Sequence, residues 1–252
     1  MLARRVRLVL GITIGVLAGI YLLLSFCFYL IQADIVYQPT HRPTSPELTR
    51  WQVNGQLYGY RRGPTAPRAV WLIMQGNAGQ AGLRGYFKNV PPDEAIYVLE
   101  YPGYGQRSGE LTSASINAAA TAAYQELRRQ FAGLPVGVVG ESFGSGPATL
   151  LARQTHPPES IVLMVPLARF DLVMSRYMPL VPVRLLLRHN WDNVASLHDY
   201  RGPVTIYAAE NDRVIPREHT LMLAASVPQS RLVWLPGGHN DAGEDAVVKL
   251  VR

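Results

Sequence analysis

The residues best suited to do chemistry lie at positions 136–146, which read VGVVGESFGSG. An apolar, strand-like run ends in Gly-x-Ser-x-Gly and a helix-like segment follows, the arrangement that mounts a serine nucleophile on a sharp strand-to-helix turn. Such a turn needs residues without side chains two positions before and two positions after the serine. Gly140 and Gly144 meet that need, so we predict that Ser142 is a nucleophile.

A serine hydroxyl is a weak nucleophile, so it requires a histidine base and an acid that orients the histidine. The strand-like run at 204–209 leads into a loop that contains Asp212, and the run at 232–235 leads into a loop that contains His239. Both loops follow predicted strands at their carboxyl ends. We therefore predict Asp212 as the acid and His239 as the base.

Several other residues compete for these two roles. Glu210 and Asp241 are rival acids, but the loop of Asp212 follows the penultimate strand, and Asp241 lies only two residues beyond His239. Five other histidines are candidates for the base. His41 precedes the domain, His156 follows a predicted helix, His189 and His198 fall in an insertion, and His219 is at the start of a predicted helix. None of them has a strand-end loop of its own, so His239 is preferred.

The same chemistry needs two backbone N–H groups that stabilise the developing oxyanion. Phe143 follows the nucleophile at the start of a predicted helix, where the helix dipole is positive. The second donor is expected in the glycine-containing loop at 75–79, which follows the strand-like run at 71–74. Asn77 is the first choice of donor there and Ala78 the second.

The elements that would position these residues alternate between strands and helices. The strand candidates are Gln52–Arg61, Ala69–Met74, Ile96–Glu100, Val136–Val139, Ile161–Val165, Val204–Ala208 and Leu232–Leu235. The helix candidates are Gly82–Asn89, Ser115–Phe131 with Ser113 as cap, Gly144–Gln154, Arg217–Val227 and Ala242–Leu250. Alternation of short apolar strands with helices predicts an α/β fold with a mostly parallel central sheet and helices on both faces.

One segment interrupts this alternation, from about 167 to 200, and is predicted to be a small cap inserted into the domain. It is apolar and basic, and it contains the runs YMPLVPV and LLL. These apolar side chains fit either a binding surface for an acyl chain or the core of the cap itself, and the sequence leaves both interpretations open.

The amino terminus carries a membrane-anchor signal. No charged residue occurs from Leu8 to Ile31, and Arg4, Arg5 and Arg7 precede this span. About two dozen apolar residues suit a transmembrane helix better than a cleaved signal peptide, which has a shorter apolar region. We predict a cytoplasmic basic stub and anchor over 1–33, a connector over 34–50 and the catalytic domain over 51–252. The basic residues keep the amino terminus cytoplasmic, so the domain would be extracytoplasmic, or periplasmic in a Gram-negative bacterium.

Composition excludes several function classes. Cys27, within the apolar span, is the only cysteine, so neither an intramolecular disulfide nor a cysteine metal site can form. The formal net charge of +6 falls to +3 when the three arginines before the span are left out, because 21 Lys and Arg then face 18 acids. No basic stripe interleaved with aromatic residues is present, so nucleic-acid binding is not expected. The serine chemistry requires no metal and no cofactor.

Separated motifs, in order, resemble those of the α/β-hydrolase superfamily and, more narrowly, of the membrane-anchored Bem46-like hydrolases. The motifs are VYQP at 36–39, QGNAGQ at 75–80, EYPGYGQRSG at 100–109 and GHND at 238–241. The resemblance covers most of the chain from Ile35 onward and implies an α/β-hydrolase fold with a triad of Ser142, Asp212 and His239. It departs from the family at Gln75, where histidine is usual, and this puts the geometry of the oxyanion hole in question.

The resemblance implies hydrolysis of esters, thioesters or amides through an acyl-enzyme. With the apolar insertion and the anchor, it favours a small acyl ester or a lipid-like substrate near the membrane. A peptidase of the same fold and a non-catalytic, membrane-anchored binding module are the alternatives. Tyr101 and Tyr104 in the EYPGYGQRSG motif are expected to pack beside the site rather than to catalyse.

Overall fold

The computed structural model describes residues 2–83 and 90–240. In chain order its elements are α1 (Leu2–Val36), β1 (Gln38–Pro39), β2 (Thr49–Val53), β3 (Gln56–Arg62), β4 (Ala69–Met74), β5 (Ala78–Gly79), β6 (Glu94–Leu99), α2 (Ser113–Gln130), β7 (Val136–Glu141), α3 (Ser145–Leu150), β8 (Ile161–Met164), α4 (Phe170–Tyr177), α5 (Val183–Leu186), α6 (Asn193–Leu197), β9 (Val204–Ala209), α7 (Arg217–Ser226) and β10 (Arg231–Leu235). Short 3-10 helices cover Ala81–Leu83, Ser142–Gly144 and Leu151–Arg153.

Eight strands form one sheet in the order β10-β9-β8-β7-β4-β6-β3-β2. Every neighbouring pair from β10 to β6 is parallel, and β3 pairs antiparallel with both β6 and β2. Strands β4, β6, β8 and β9 are buried along their whole length, and β7 between them is buried except at Glu141, as expected for parallel strands covered on both faces. The predicted α/β class with a mostly parallel sheet is confirmed.

The prediction of a single strand over Gln52–Arg61 is wrong, because this segment holds the end of one strand, a turn and most of a second strand. Asn54 and Gly55 both have positive φ, at 49° and 78°, and they connect β2 to β3. Asn-Gly is the dipeptide that a two-residue hairpin turn favours, since both central residues need positive φ. The turn signal in the sequence was therefore sufficient to predict two strands.

Alternate side chains of the central strands enter two cores on opposite faces of the sheet. In β4, Val70, Leu72 and Met74 belong to the larger core, whereas Trp71 and Ile73 belong to the smaller one. The larger core also takes in the buried face of α2 and the cap helices. These two cores hold the carboxyl ends of the parallel strands rigidly, which is where the predicted site residues lie.

The cap of α2 lies one residue before the predicted one. Thr112, not Ser113, caps the helix, because its hydroxyl accepts the Ser115 N–H while the Ser115 hydroxyl accepts the Thr112 N–H. The predicted helix Gly144–Gln154 is an α-helix flanked by two 3-10 turns, and α7 is one residue shorter than predicted. The predicted helices Gly82–Asn89, beyond Leu83, and Ala242–Leu250 lie outside the described residues, as does Asp241.

Between β8 and β9 the chain forms the three short helices α4, α5 and α6 of the cap. The buried Asn193 ties this segment to the helix behind the nucleophile: its amide nitrogen donates to Ser145 Oγ and to the Leu167 carbonyl, and its amide oxygen accepts the Thr149 hydroxyl. The Trp191 ring contacts the Phe143 ring with centroids 4.6 Å apart. The cap and the nucleophile turn are thus one packed unit.

Helix α1 is 35 residues long and, by length and composition, apolar enough to cross a membrane. It extends to Val36, beyond the anchor boundary expected at residue 33, and the following Tyr37 is buried in the larger core. Directly after the helix, β1 pairs in parallel with β5. The segment expected as a connector over 34–50 therefore begins with residues that pack on the domain.

Candidate active site

Ser142 lies on a strained turn between β7 and α3. Its φ is 50°, a left-handed conformation that is uncommon for a residue other than glycine. Close packing enforces the turn, because a Cβ on Gly140 would lie 2.7 Å from the Cα of Ser145. A Cβ on Gly144 would lie 2.2 Å from the Met74 carbonyl oxygen. Both glycines are required by close approach, as the sequence pattern predicts.

The structure brings the three predicted residues Ser142, His239 and Asp212 into one hydrogen-bonded line. Ser142 Oγ lies 2.8 Å from Nε2 of His239, and Nδ1 of His239 lies 2.7 Å from Oδ2 of Asp212. The tautomer that satisfies both contacts carries its proton on Nδ1 and leaves Nε2 free to accept the serine proton. The residues are 97 and 27 positions apart in sequence, so this contact is made by the fold alone.

The carboxylate of Asp212 is fixed by its own loop. Its Oδ1 accepts the N–H groups of Val214 and Ile215 at 2.9 and 2.8 Å, which leaves Oδ2 directed at the histidine. The side chains of His239 and Asp212 are only 9% and 6% exposed. The rival Glu210 is exposed, and its N–H continues the pairing with β10 by donating to the Leu235 carbonyl.

Two other histidines are buried elsewhere in structural roles. His189 accepts the Ser113 N–H and packs against the Tyr37 ring, and His219 accepts the Ala168 N–H. Burial lowers the pKa of both imidazoles, which keeps them neutral as these hydrogen bonds require. His41 and His198 are exposed, on the Gly105 carbonyl and beside Asp199.

Both predicted oxyanion donors, Phe143 and Asn77, line the same cavity as Ser142. The loop that carries Asn77 is held from behind, because the hydroxyls of Tyr101 and Tyr104 donate to the carbonyls of Gln75 and Asn77, each at 2.7 Å. Both tyrosines are fully buried, so they pack as expected and also fix the backbone of the loop. The second-choice donor, Ala78, is in β5 and does not line the cavity.

Gln75, the departure from the family pattern, is buried behind the loop. Its amide nitrogen lies 3.4 Å from Oε1 of Glu100, which also accepts the Ala81 N–H at 2.8 Å. Burial is the main cause that raises the pKa of Glu100 to about 7. Glu100 therefore connects the two ends of the loop at 75–81, because it contacts both Gln75 and Ala81. Neither Gln75 nor Glu100 lines the cavity.

The cavity beside Ser142 has a volume of about 330 Å³, at the lower end of the range for small-molecule sites. It is mostly apolar, and none of the described residues that line it is charged: Ile35, Val36, Gln38, Asn77, Ser142, Phe143, Leu167, Phe170, Val173, Met174, Tyr177, Met178, Val214 and Ile215. Within the described ranges, no cluster of three or more His, Cys, Asp or Glu residues is arranged to hold a metal.

Sequence reasoning missed that the end of α1 contributes to the site. Ile35 and Val36 line the cavity, and the Val36 carbonyl accepts a hydrogen bond from the Asn77 side chain at 3.1 Å. The Gln38 N–H in turn donates to the Asn77 carbonyl. The motif VYQP was visible at 36–39, but its contact with a loop 40 residues later has no sequence signal of its own.

Comparisons with known proteins agree with this architecture. No family model matches the chain. It is 25% identical over 178 residues to the lysophosphatidylserine lipase ABHD12 of Danio rerio, covering 62% of this chain and 47% of that protein. It is 26% identical over 207 residues to the alpha/beta hydrolase domain-containing protein 17C of Xenopus laevis, covering 77% and 64%. The chain thus spans about half of the first relative and less than two thirds of the second.

Solved structures resemble the chain in fold. The Pyrococcus furiosus esterase Pf2001 matches with a TM-score of 0.64 at 13% identity, covering 81% of this chain and 90% of that one. Est1E from Butyrivibrio proteoclasticus, solved with ferulic acid, matches with a TM-score of 0.58 at 14% identity, covering 76% and 90%. At such identities the likeness shows the fold alone, which is that of the α/β hydrolases.

Proposed function

We propose that this chain, which belongs to the α/β-hydrolase superfamily, is a membrane-anchored serine hydrolase that cleaves carboxylic esters through an acyl-enzyme. The observation that carries the proposal is the hydrogen-bonded line from Asp212 through His239 to Ser142, because Ser142 lines an apolar cavity. Thioesters and amides present the same acyl carbonyl and are within the scope of this chemistry.

Each member of the line has a distinct role in the proposed reaction. Nε2 of His239 takes the proton of Ser142 as Oγ attacks the acyl carbonyl carbon, and the carboxylate of Asp212 stabilises the imidazolium that forms. The carbonyl oxygen becomes an oxyanion, which the N–H groups of Phe143 and Asn77 stabilise. When the carbon–oxygen bond to the alcohol breaks, His239 protonates the leaving oxygen. Water then attacks the acyl-enzyme with His239 as base, which releases the acid and restores Ser142.

The lining of the cavity supports an uncharged acyl group as the part of the substrate that is bound. Phe170, Val173 and Met174 of the cap belong to the core and also line the cavity, which supports both interpretations of the cap's apolar side chains. A peptidase that recognises a chain terminus would need a fixed charge there, and the described lining residues include none. An acyl or lipid-like ester is therefore favoured over a peptide.

A series of p-nitrophenyl esters of increasing acyl length tests the reaction and its substrate class together. We expect turnover by the full-length protein to rise from acetyl toward medium chains, because each buried methylene adds about 0.8 kcal/mol of transfer free energy. Ser142→Ala should abolish turnover, whereas Ser108→Ala, which changes an exposed serine outside the turn, should leave it unchanged. Equal turnover by both variants would contradict the proposed nucleophile, and a flat or short-chain profile would contradict a lipid-like substrate.

The proposed topology has the amino terminus in the cytoplasm and the domain on the other side of the membrane. It is supported by the apolar length of α1 and by Arg4, Arg5 and Arg7 before the apolar span. An alkaline phosphatase fusion at the carboxyl terminus, which is active only outside the cytoplasm, should be active. If the fusion protein is present in the membranes but its phosphatase is inactive, the domain lies in the cytoplasm and the proposed orientation is wrong.

A further inference from the structure

The last three turns of α1 pack on the domain through a single face. Ser25, Phe28, Gln32 and Val36 recur at intervals of three or four residues and are 8%, 3%, 0% and 2% exposed. Residues between them on the other face are open, with Phe26 59% exposed. The domain therefore contacts the helix well before its end, within the apolar span itself.

This contact fixes the depth of the domain relative to the anchor. Ser25 lies six residues before Ile31, the last apolar residue before Gln32, and this separation is about 9 Å along the helix axis. Interfacial protein segments insert to a comparable depth, about 5–10 Å into the boundary between head groups and acyl chains. The part of the domain beside Ser25 and Phe28 thus lies at the level of the bilayer interface, given the proposed anchor.

The element that contacts α1 where the apolar span ends is α5 of the cap. The Gln32 amide nitrogen donates to the Leu186 carbonyl at 3.1 Å, and the Arg188 N–H donates to the Gln32 amide oxygen at 2.7 Å. The Arg188 guanidinium also lies 4.6 Å from the ring centroid of Tyr29, which is on α1 like Gln32. These contacts place α5 beside the point where the apolar span ends.

The side of α5 that faces away from the protein combines exposed leucines with arginines. Leu185 is 86% exposed and Leu180, in the loop before α5, is 71% exposed, although both are large aliphatic side chains. Arg184 and Arg188 flank them and are also exposed, although Arg184 lies 3.5 Å from the Asp171 carboxylate and Arg188 donates to the Tyr29 carbonyl. We call these four residues, Leu180, Arg184, Leu185 and Arg188, the cap edge.

We propose that the cap edge is a second membrane-contact surface, whose leucines enter the outer acyl layer and whose arginines bind lipid phosphates. This inference rests on the proposed membrane anchorage. The bilayer is the occupant because the cap edge is continuous with the apolar helix that contacts α5, and its charge suits anionic head groups. Leucine beside arginine matches the two layers of an interface, apolar below and anionic above.

The same arrangement directs the cavity toward the membrane. Tyr177 and Val214 line the cavity and are 53% and 39% exposed, so they mark its mouth, and Ile35 and Val36 form the wall next to the anchor. Tyr177 ends α4, three residues before Leu180 of the cap edge. In this proposal, an acyl ester from the leaflet beside the cap edge enters through this mouth to reach Ser142.

Site-specific fluorescence quenching in vesicles tests the contact directly. The full chain would carry Cys27→Ser and Leu185→Cys, be labelled with a fluorophore and be reconstituted in phosphatidylcholine and phosphatidylglycerol. The matched control is Thr155→Cys, an exposed residue before the amino end of β8 and so at the opposite end of the strands from the cavity. We expect acyl-brominated lipids to quench the label at 185 and aqueous iodide to quench the label at 155.

The outcomes separate this inference from the proposals on which it rests. Quenching of the 185 label by iodide and not by brominated lipid would overturn it, and shielding from both quenchers would instead indicate that a second copy covers the cap edge. Flotation of the vesicles tests anchorage, and labelling of Ser142 by a fluorophosphonate tests the hydrolase. If both succeed while the 185 label is in water, only the cap-edge inference fails.

A functional variant provides a second readout. The exposed positions of Leu180 and Leu185 allow the double variant Leu180→Ser, Leu185→Ser to fold. We expect its turnover of an acyl ester dissolved in vesicles to fall about fivefold, because contact of two leucines with the acyl layer is lost. Turnover of a short, soluble ester should be unchanged, and an equal loss on both substrates would contradict a role at the membrane.

Discussion

At the scale of single residues, the proposed chemistry depends on a nucleophile held in an unfavourable backbone conformation. Ser142 has a φ of 50°, a conformation that costs free energy for a residue with a side chain. The packing of β7 before it and of α3 after it holds the serine in this conformation. The space for this turn exists only because Gly140 and Gly144 lack side chains. A substitution at Gly140 or Gly144 would therefore affect both the stability of the protein and the position of Ser142.

Substitution of the second of these glycines tests the packing argument. A Cβ at position 144 would lie 2.2 and 2.4 Å from the Met74 and Gln75 carbonyl oxygens, so Gly144→Ala should lower the free energy of unfolding by about 3 kcal/mol or more. Gly76→Ala is the matched control, because its nearest neighbours would be 3.8 Å away. Thermal unfolding of both variants measures the difference, and equal melting temperatures would contradict the argument.

Glu100 makes stability depend on pH. Burial raises its pKa from 4.5 to about 7, so the native state holds a proton that the unfolded state releases between these values. The contribution of Glu100 to stability is therefore full below about pH 4.5 and is lost as pH rises through 7, by about 3 kcal/mol in total. Arg107 opposes the shift, but burial outweighs it.

The variant Glu100→Gln isolates this effect, because it keeps an acceptor for the Ala81 N–H and removes the ionisation. Denaturant unfolding of both proteins at pH 5, 6, 7 and 8 should show the variant gaining stability relative to the parent as pH rises. A constant difference across this range would mean that Glu100 does not ionise there.

At the scale of elements, helix α1 is joined to the catalytic domain by specific polar contacts. Gln32 is fully buried, and its amide group bonds to the Leu186 carbonyl and to the Arg188 N–H of the cap. At the end of the helix, the Val36 carbonyl accepts a hydrogen bond from the Asn77 side chain. Helix α1 is thus part of the framework that shapes the cavity.

Gln32→Ala should therefore destabilise the domain as well as loosen the anchor. It leaves the Leu186 carbonyl and the Arg188 N–H without this partner, which costs about 2 kcal/mol, or about 5 °C in melting temperature for a chain of this size. Gln52→Ala, at an exposed position of β2, is the control. Scanning fluorimetry in detergent gives both values, and identical melting temperatures would show that the contact is not structural.

At the scale of the whole molecule, the sequence predicts the fold well because its signals are local. Buried parallel strands such as β4 and β9 are continuous apolar runs, and the Gly-x-Ser-x-Gly pattern carries its own steric reason. That Asp212 and His239 meet Ser142 follows from their place after strands, since parallel strands present their carboxyl ends at one edge of the sheet. The Asn54-Gly55 turn is an equally local signal, and it divides the run at 52–61 between two strands.

What the sequence could not supply are contacts between segments that are far apart. Gln32 is 156 residues from Arg188, and Val36 is 41 residues from Asn77, and nothing at either position indicates its partner. Such pairings follow from how the cap folds over the end of α1. For this reason the part that α1 plays in lining the cavity, and its contacts with the cap, are visible only in three dimensions.

A fluorophosphonate reacts with an activated serine, and peptide mass spectrometry identifies the serine that has reacted. This measurement shows whether Ser142 is an activated nucleophile, as we propose. We predict a single adduct on the peptide that contains Ser142 in the folded, full-length protein. The adduct should be absent in Ser142→Ala and retained in Ser108→Ala. If the folded protein forms no adduct, or if the adduct persists in Ser142→Ala, Ser142 is not the activated nucleophile.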